Sequence, residues 1–87
     1  MPLMVPSVHL NGTSQKDLLA EVETAYRALD SAIAALARVT VHGRDYYVQG
    51  LNAYQQARAE MDNRLLTLAH LSQELCNLYI AIEQQRG

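Results

Sequence analysis

The stretch VHGRDYYVQG, residues 41–50, decides how this chain folds, because it separates two long segments of helical patterning. Gly43 and Gly50 lie near its two ends, and glycine commonly interrupts or ends a helix. A short connection between two long helices makes them neighbours that run in opposite directions. The pattern therefore predicts an antiparallel helical hairpin with its connection at residues 41–50.

Before this connection, the apolar residues recur at intervals of three and four, which is typical of a helix with one buried stripe. Ser14 is followed three residues later by Asp17, a near capping box, so we predict Ser14 as the N-cap, with Thr13 as the alternative. The first helix is predicted at about residues 14–40, where the β-branched run 39–41 weakens it and Gly43 ends it. Residues 1–13 are predicted to form an extended arm and turn before the hairpin of residues 14–87.

After the connection, a second helix is predicted at about residues 51–84, again from apolar spacing of three and four. Within residues 65–82 the apolar arc is wider than one partner helix can cover. Either the N-terminal arm or another subunit must cover the remainder, and we expect a subunit interface. The predicted interface residues are Leu65, Leu68, Leu71, Leu75, Leu78, Tyr79 and Ile82.

The length of 87 residues allows one small domain whose own core contributes little stability. Cys76 is the only cysteine, so no disulfide can form within the chain. His9, His42, His70 and Cys76 do not have the spacing of a zinc site, so no metal is expected. Oligomerisation is the remaining way to supplement the core, and the predicted fold class is an all-α, homo-oligomeric helical assembly.

The charge pattern argues against duplex nucleic acid as a partner. The formal net charge is −2, from 7 basic and 9 acidic side chains whose signs are interspersed, and no basic patch is evident. The first residues lack the basic region of a signal peptide, and no apolar run approaches the length of a membrane span. We therefore expect a cytoplasmic protein without a membrane partner.

Catalytic motifs are missing from the sequence. Cys76 lies on the apolar side of a predicted helix, without the neighbouring base that a nucleophile needs. The acidic pairs Glu21/Glu23 and Glu60/Asp62 are two residues apart, so they point in different directions on a helix. The glycines are isolated and form no phosphate loop. We expect no enzymatic activity and no cofactor.

The connection carries the best candidate binding residues: His42, Arg44, Tyr46, Tyr47 and Gln49. A guanidinium binds phosphate or carboxylate, tyrosine rings stack on flat groups, and a glutamine amide both donates and accepts. The structural alternative is that Arg44 and Asp45 pair locally or cap the second helix, while one tyrosine closes the end of the hairpin core.

A second candidate lies at the start of the first helix, where Thr13 and Ser14 can bind an anion together with free backbone N–H groups. Simple N-capping is the alternative. The two candidates fall at opposite ends of one hairpin, roughly 35 Å apart by helix rise. If subunits pack antiparallel, Arg44, Tyr46 and Tyr47 of one copy can meet Thr13 and Ser14 of the next in a composite site.

The combination of HLNGTS at residues 9–14, GRDYY at residues 43–47 and a long second helix resembles small proteins encoded by bacteriophages and prophages. The organisation is also similar to the helical hairpins of phage sponges, which sequester immune cyclic nucleotides between subunits. Their C-terminal helix motif is not evident in NLYIAIEQQ, residues 77–85. The resemblance implies a non-catalytic viral protein in the host bacterial cytoplasm.

These expectations give a leading functional hypothesis and two alternatives. The leading one is a homo-oligomeric phage protein that counters host defence by sequestering a small anionic signal, either a cyclic nucleotide or an ADP-ribose-like molecule. The first alternative is an interaction module that inhibits a host protein through its apolar helix face. The second is an assembly component of a virion.

Overall fold

The computed structural model describes residues 3–85, which form two long helices and no β-strand. Helix α1 spans Gln15–Ala37, and helix α2 spans Ala53–Glu83. Two short 3-10 turns, Gly43–Asp45 and Tyr47–Gln49, lie in the connection. Gln15, at the start of α1, hydrogen-bonds to the carbonyls at the end of α2, so the helices run antiparallel. The predicted helical hairpin is therefore present.

Helix α1 begins at the predicted cap and ends three residues earlier than residue 40. The Ser14 Oγ accepts a hydrogen bond from the Asp17 N–H at 3.1 Å. At the other end, the N–H of Arg38 bonds to the carbonyls of Ala35 and Leu36, which closes the last turn. The β-branched residues 39–41 leave the helix, so Gly43 does not end α1 but opens the first 3-10 turn.

Helix α2 begins two residues after the predicted start at residue 51. Asn52 is its N-cap, but the Asn52 side chain makes no capping hydrogen bond. Two ion pairs at i, i+4 spacing follow in the first half, Arg58–Asp62 at 3.4 Å and Glu60–Arg64 at 3.9 Å. Both are about half exposed, and such pairs contribute little to stability. The helix therefore depends on packing rather than on its cap or its charges.

Two glutamine side chains close this end of the hairpin, since Gln85 binds the N-terminal arm and Gln15 joins the start of α1 to the end of α2. The Gln85 amide accepts from the Val8 N–H and donates to the Pro6 carbonyl, both at 2.8 Å. The Gln15 amide donates to the carbonyls of Ile82 at 2.9 Å and Gln85 at 2.6 Å. We call these four contacts the amide clasp. They hold the arm over the region where Ile82 is completely buried.

The molecule is a single layer of two helices. Its extents are 62 × 24 × 16 Å, and its radius of gyration is 18.8 Å, against about 12 Å for a compact domain of this length. Met61 and Ile82 are the only buried residues among those described. Stable domains usually pack at least two layers around a core. The hairpin therefore lacks the second layer that would cover its helices.

Within residues 3–85, neither helix combines the length and apolar character that crossing a membrane requires.

Candidate functional site

The connection folds as two consecutive 3-10 turns, and these turn its adjacent tyrosines to different environments. The His42 Nδ1 accepts a hydrogen bond from the Arg44 N–H at 3.3 Å, which caps the first turn. The Tyr46 N–H bonds to the Gly43 carbonyl at 3.0 Å, and Tyr46 is half-buried. Tyr47 begins the second turn and is 73% exposed. One tyrosine is thus partly covered and the other is open to solvent.

The polar side chains of the connection are open to solvent. Arg44 and Asp45 are exposed and form no ion pair with each other or with another described residue. Gln49 is also exposed, and its side chain makes no hydrogen bond within residues 3–85. The local pairing of Arg44 with Asp45, part of the structural alternative, is therefore not formed. The guanidinium, the Tyr47 ring and the Gln49 amide remain available to a ligand.

Thr13 and Ser14 lie at the other end of the hairpin. The Ser14 hydroxyl is engaged in capping α1, as the simpler sequence interpretation holds, and Thr13 is exposed. An open depression of about 380 Å³ lies beside them, lined by His9, Leu10, Gly12 and neighbouring residues. The 23 residues of α1 separate this end from the connection, a helix rise of about 35 Å. One chain therefore does not bring the two candidate sites together.

A groove between the helices is a concavity that the sequence did not predict. It has a volume of about 540 Å³ and is lined by Glu23, Tyr26, Arg27, Asp30, Ser31, Cys76 and Tyr79. Arg27 is already paired with Glu23 at 2.9 Å. Tyr26 and Tyr79 were visible in the sequence only as members of helical stripes. Tyr26 and Tyr79 line the same groove because of the relative alignment of α1 and α2. The spacing of residues along one helix does not predict that alignment.

The groove brings no catalytic group next to Cys76. Its charged side chains are carboxylates and a guanidinium, and neither offers the imidazole that commonly activates a thiol. Across residues 3–85, no three His, Cys, Asp or Glu side chains come together in a way that could hold a metal ion.

The predicted interface residues divide into three groups by exposure. Ile82 is completely buried within the chain, so it offers no surface to a second copy. Leu71 is 43% exposed. The remaining five are half-buried in the chain, so each keeps some exposed surface: Leu65, Leu68, Leu75, Leu78 and Tyr79.

The geometry defines an all-helical hairpin with wide apolar exposure and a connection that carries two tyrosines and an arginine. Comparisons with protein-family models, with characterised proteins and with solved structures find no match to this chain. The likeness to phage-encoded proteins, together with the viral and anti-defence roles that it implies, therefore stays a prediction.

Proposed function

We propose that this chain is a non-catalytic helical interaction module that works as a homo-oligomer. The observation that carries this proposal is the amount of surface left uncovered. The hairpin exposes 6842 Å², whereas a compact folded chain of 9.7 kDa exposes about 5,100 Å². The excess of about 1,700 Å² is roughly twice what each partner buries in an interface of standard size.

The uncovered surface is partly apolar and is not confined to one end. On α2, Leu66 is 54% exposed and Ile80 is 43% exposed. Leu51, just before α2, and Leu10, in the arm, are 99% and 98% exposed. Soluble monomers seldom leave large contiguous apolar patches uncovered, and such patches commonly mark interaction surfaces. Packing helices of other subunits over the hairpin would supply the missing second layer.

Sedimentation equilibrium or multi-angle light scattering at micromolar concentration tests this proposal. We expect a mass at least twice the 9.7 kDa of one chain. Circular dichroism on the same sample should show the helix content of α1 and α2. A folded monomer with that helix content would contradict the proposal, because it would show that one layer is sufficient.

The connection favours a second function, the sequestration of a small anionic ligand. Arg44 has no ion-pair partner among the described residues, and the Tyr47 ring is 73% exposed beside it. A free guanidinium and an open aromatic ring suit the phosphate and base of a nucleotide-like molecule. Between two copies, Thr13 and the start of α1 would contribute further donors to a composite site.

Thermal shift with cyclic dinucleotides and ADP-ribose tests this second function. A ligand that binds the native state raises the melting temperature in proportion to RT ln(1 + [L]/Kd). We expect Arg44→Ala and Tyr47→Ala to abolish the shift. Arg58→Ala is the matched control, because Arg58 is paired with Asp62 outside the connection. If no probe produces a shift, or if Arg58→Ala abolishes it equally, the sequestration role is wrong.

A further inference from the structure

We infer that one face of the hairpin binds a second copy of the chain, face to face, with the two connections at opposite ends of the dimer. This inference rests on the proposed homo-oligomeric function and adds the surface and the arrangement. The surface, which we call the alanine face, comprises Ala25, Ala28, Ala32 and Ala35 of α1 together with Leu71 and Leu78 of α2.

The alanine face is continuous along α1. Its four alanines are spaced by three, four and three residues, which keeps them on one flank of a helix, and all four are exposed. Leu71 and Leu78 are seven residues apart, which places them on one flank of α2, and neither lines the groove, which Cys76 and Tyr79 of α2 border. The flank is thus formed by small apolar side chains on one helix and leucines on the other.

Charge separates this face from the opposite one. Between Glu21 and Ala37, the charged residues of α1 are Glu23, Arg27 and Asp30, and all three line the groove on the other side of the hairpin. Carboxylates without partners are costly to bury in an interface. On α1, the alanine face offers an uncharged stretch of about four helical turns, whereas on α2 the same flank carries Glu74 between Leu71 and Leu78. Alanine side chains also let two helices approach to the short end of the usual range, about 8 Å between axes.

The distribution of charge along the hairpin selects the arrangement. The half beside the arm, residues 15–26 and 70–85, contains Lys16 and five carboxylates, for a net charge of −4. The half beside the connection, residues 27–69, contains five arginines and four carboxylates, for a net charge of +1. With both connections at one end, the two acidic halves would repel each other. With the connections at opposite ends, each acidic half lies against the positive half of the other copy.

The opposite-end arrangement also gives a register. Face-to-face packing then places α1 against α1 of the partner, centred between Ala28 and Ala32. Glu21 of one copy comes level with the partner's Arg38, and the same pair repeats across the two-fold axis. Neither residue forms an ion pair with another residue between positions 3 and 85 of its own chain.

Spin labels at the ends of the hairpin measure the arrangement directly. Both labelled variants carry Cys76→Ala, so that each has a single cysteine. Val48→Cys places the label in the connection, where Val48 is 75% exposed. Leu10→Cys places it in the arm, where Leu10 is 98% exposed. In dimers of the Val48→Cys variant we expect an inter-label distance close to the 62 Å length of the molecule. In dimers that mix the two variants we expect about 20–30 Å, a few helix diameters. A short distance between two Val48→Cys labels would overturn the arrangement.

A pair of matched substitutions identifies the face. Leu71 and Ile80 are each 43% exposed and nine residues apart, which places them on opposite sides of α2. We expect Leu71→Glu to raise the dimer dissociation constant about 10-fold or more, because it puts a charge into the interface. Ile80→Glu should leave the dissociation constant within about 3-fold of the original. A large rise in the dissociation constant of Ile80→Glu would overturn the choice of face. This outcome does not depend on how well the Leu71→Glu chain folds.

These outcomes separate the arrangement from the function on which it rests. A wild-type monomer contradicts both. A wild-type dimer with a short Val48→Cys distance, or with sensitivity at Ile80 alone, contradicts only the arrangement and leaves the oligomeric module intact.

Discussion

Among the described residues, Gly50 has a backbone conformation that only glycine adopts easily. Its φ of 128° and ψ of 170° fall in a region that other residues rarely occupy, and no residue with a side chain has a positive φ within residues 3–85. Gly50→Ala should therefore cost about 1–3 kcal/mol of folding stability. An added Cβ would meet no atom within 4 Å, so the loss would arise from backbone strain alone. Urea unfolding followed by circular dichroism measures it.

Gly43→Ala is the matched control for that prediction, because it tests the same substitution in the same connection. A Cβ at Gly43 would lie 3.9 Å from the Tyr54 ring, an ordinary contact, and the Gly43 backbone does not have a positive φ. We expect a change of less than about 1 kcal/mol. Equal losses at the two glycines would show that the conformation of Gly50 is not the cause.

The sequence predicts which residue types form the candidate site. It does not predict which of their side chains are exposed. The spacing of the flanking helices located the connection, and Arg44 and Tyr47 stand out by chemistry alone. Two adjacent tyrosines can share a direction or diverge, and the outcome depends on the 3-10 turn that begins at Tyr47. Turns of three residues leave almost no periodic signal in a sequence, so the exposure of Tyr47 and the partial burial of Tyr46 required the structure.

At the scale of the elements, the amide clasp ties the arm to the end of α2. Gln15→Ala would remove the amide donor to the carbonyls of Ile82 and Gln85, and so would loosen Gln85, whose side chain binds the Val8 N–H. The Ile82 carbonyl would keep its bond from the Gln85 N–H at 3.1 Å. We expect a loss of about 1 kcal/mol, typical of a partly buried hydrogen bond, and faster hydrogen exchange at the Val8 amide. Gln73→Ala is the control, because its exposed bond to Asn77 lies on the surface of α2. Unchanged exchange at Val8 would show that the clasp does not hold the arm.

The sequence predicts a helix end well where neighbouring residues determine it. It does not predict the contacts that join residues far apart in the chain. Ser14 and Asp17 give the start of α1 because a cap is a local arrangement. The ends next to the connection shifted by two or three residues, since β-branched residues and turns compete there with weak helical preference. The amide clasp joins residues 67 to 79 positions apart, and glutamines carry no signal of such partners.

At the scale of the whole molecule, the width of the apolar arc on α2 was the informative sequence feature. Two candidates could cover it, the arm or another subunit. The structure gives the arm a limited share, because it is fastened only at the end of α2, near Ile82. The middle of α2 keeps Leu66 and Leu71 about half exposed. On the proposed oligomeric function, a thin hairpin of 62 × 24 × 16 Å is an incomplete folding unit that other copies complete.

An incomplete unit should unfold and dissociate in one coupled step, so its melting temperature should depend on protein concentration. A dimer of two 87-residue chains has an unfolding enthalpy of about 120 kcal/mol by the usual per-residue value, which gives a rise of about 8 °C for a 100-fold increase in concentration. Differential scanning calorimetry between about 5 and 500 μM measures it. At high concentration, the Leu71→Glu variant should melt at a lower temperature than the wild-type chain. Its melting temperature should also depend less on protein concentration. A melting temperature that stays constant across this range would mean that the single layer is stable by itself.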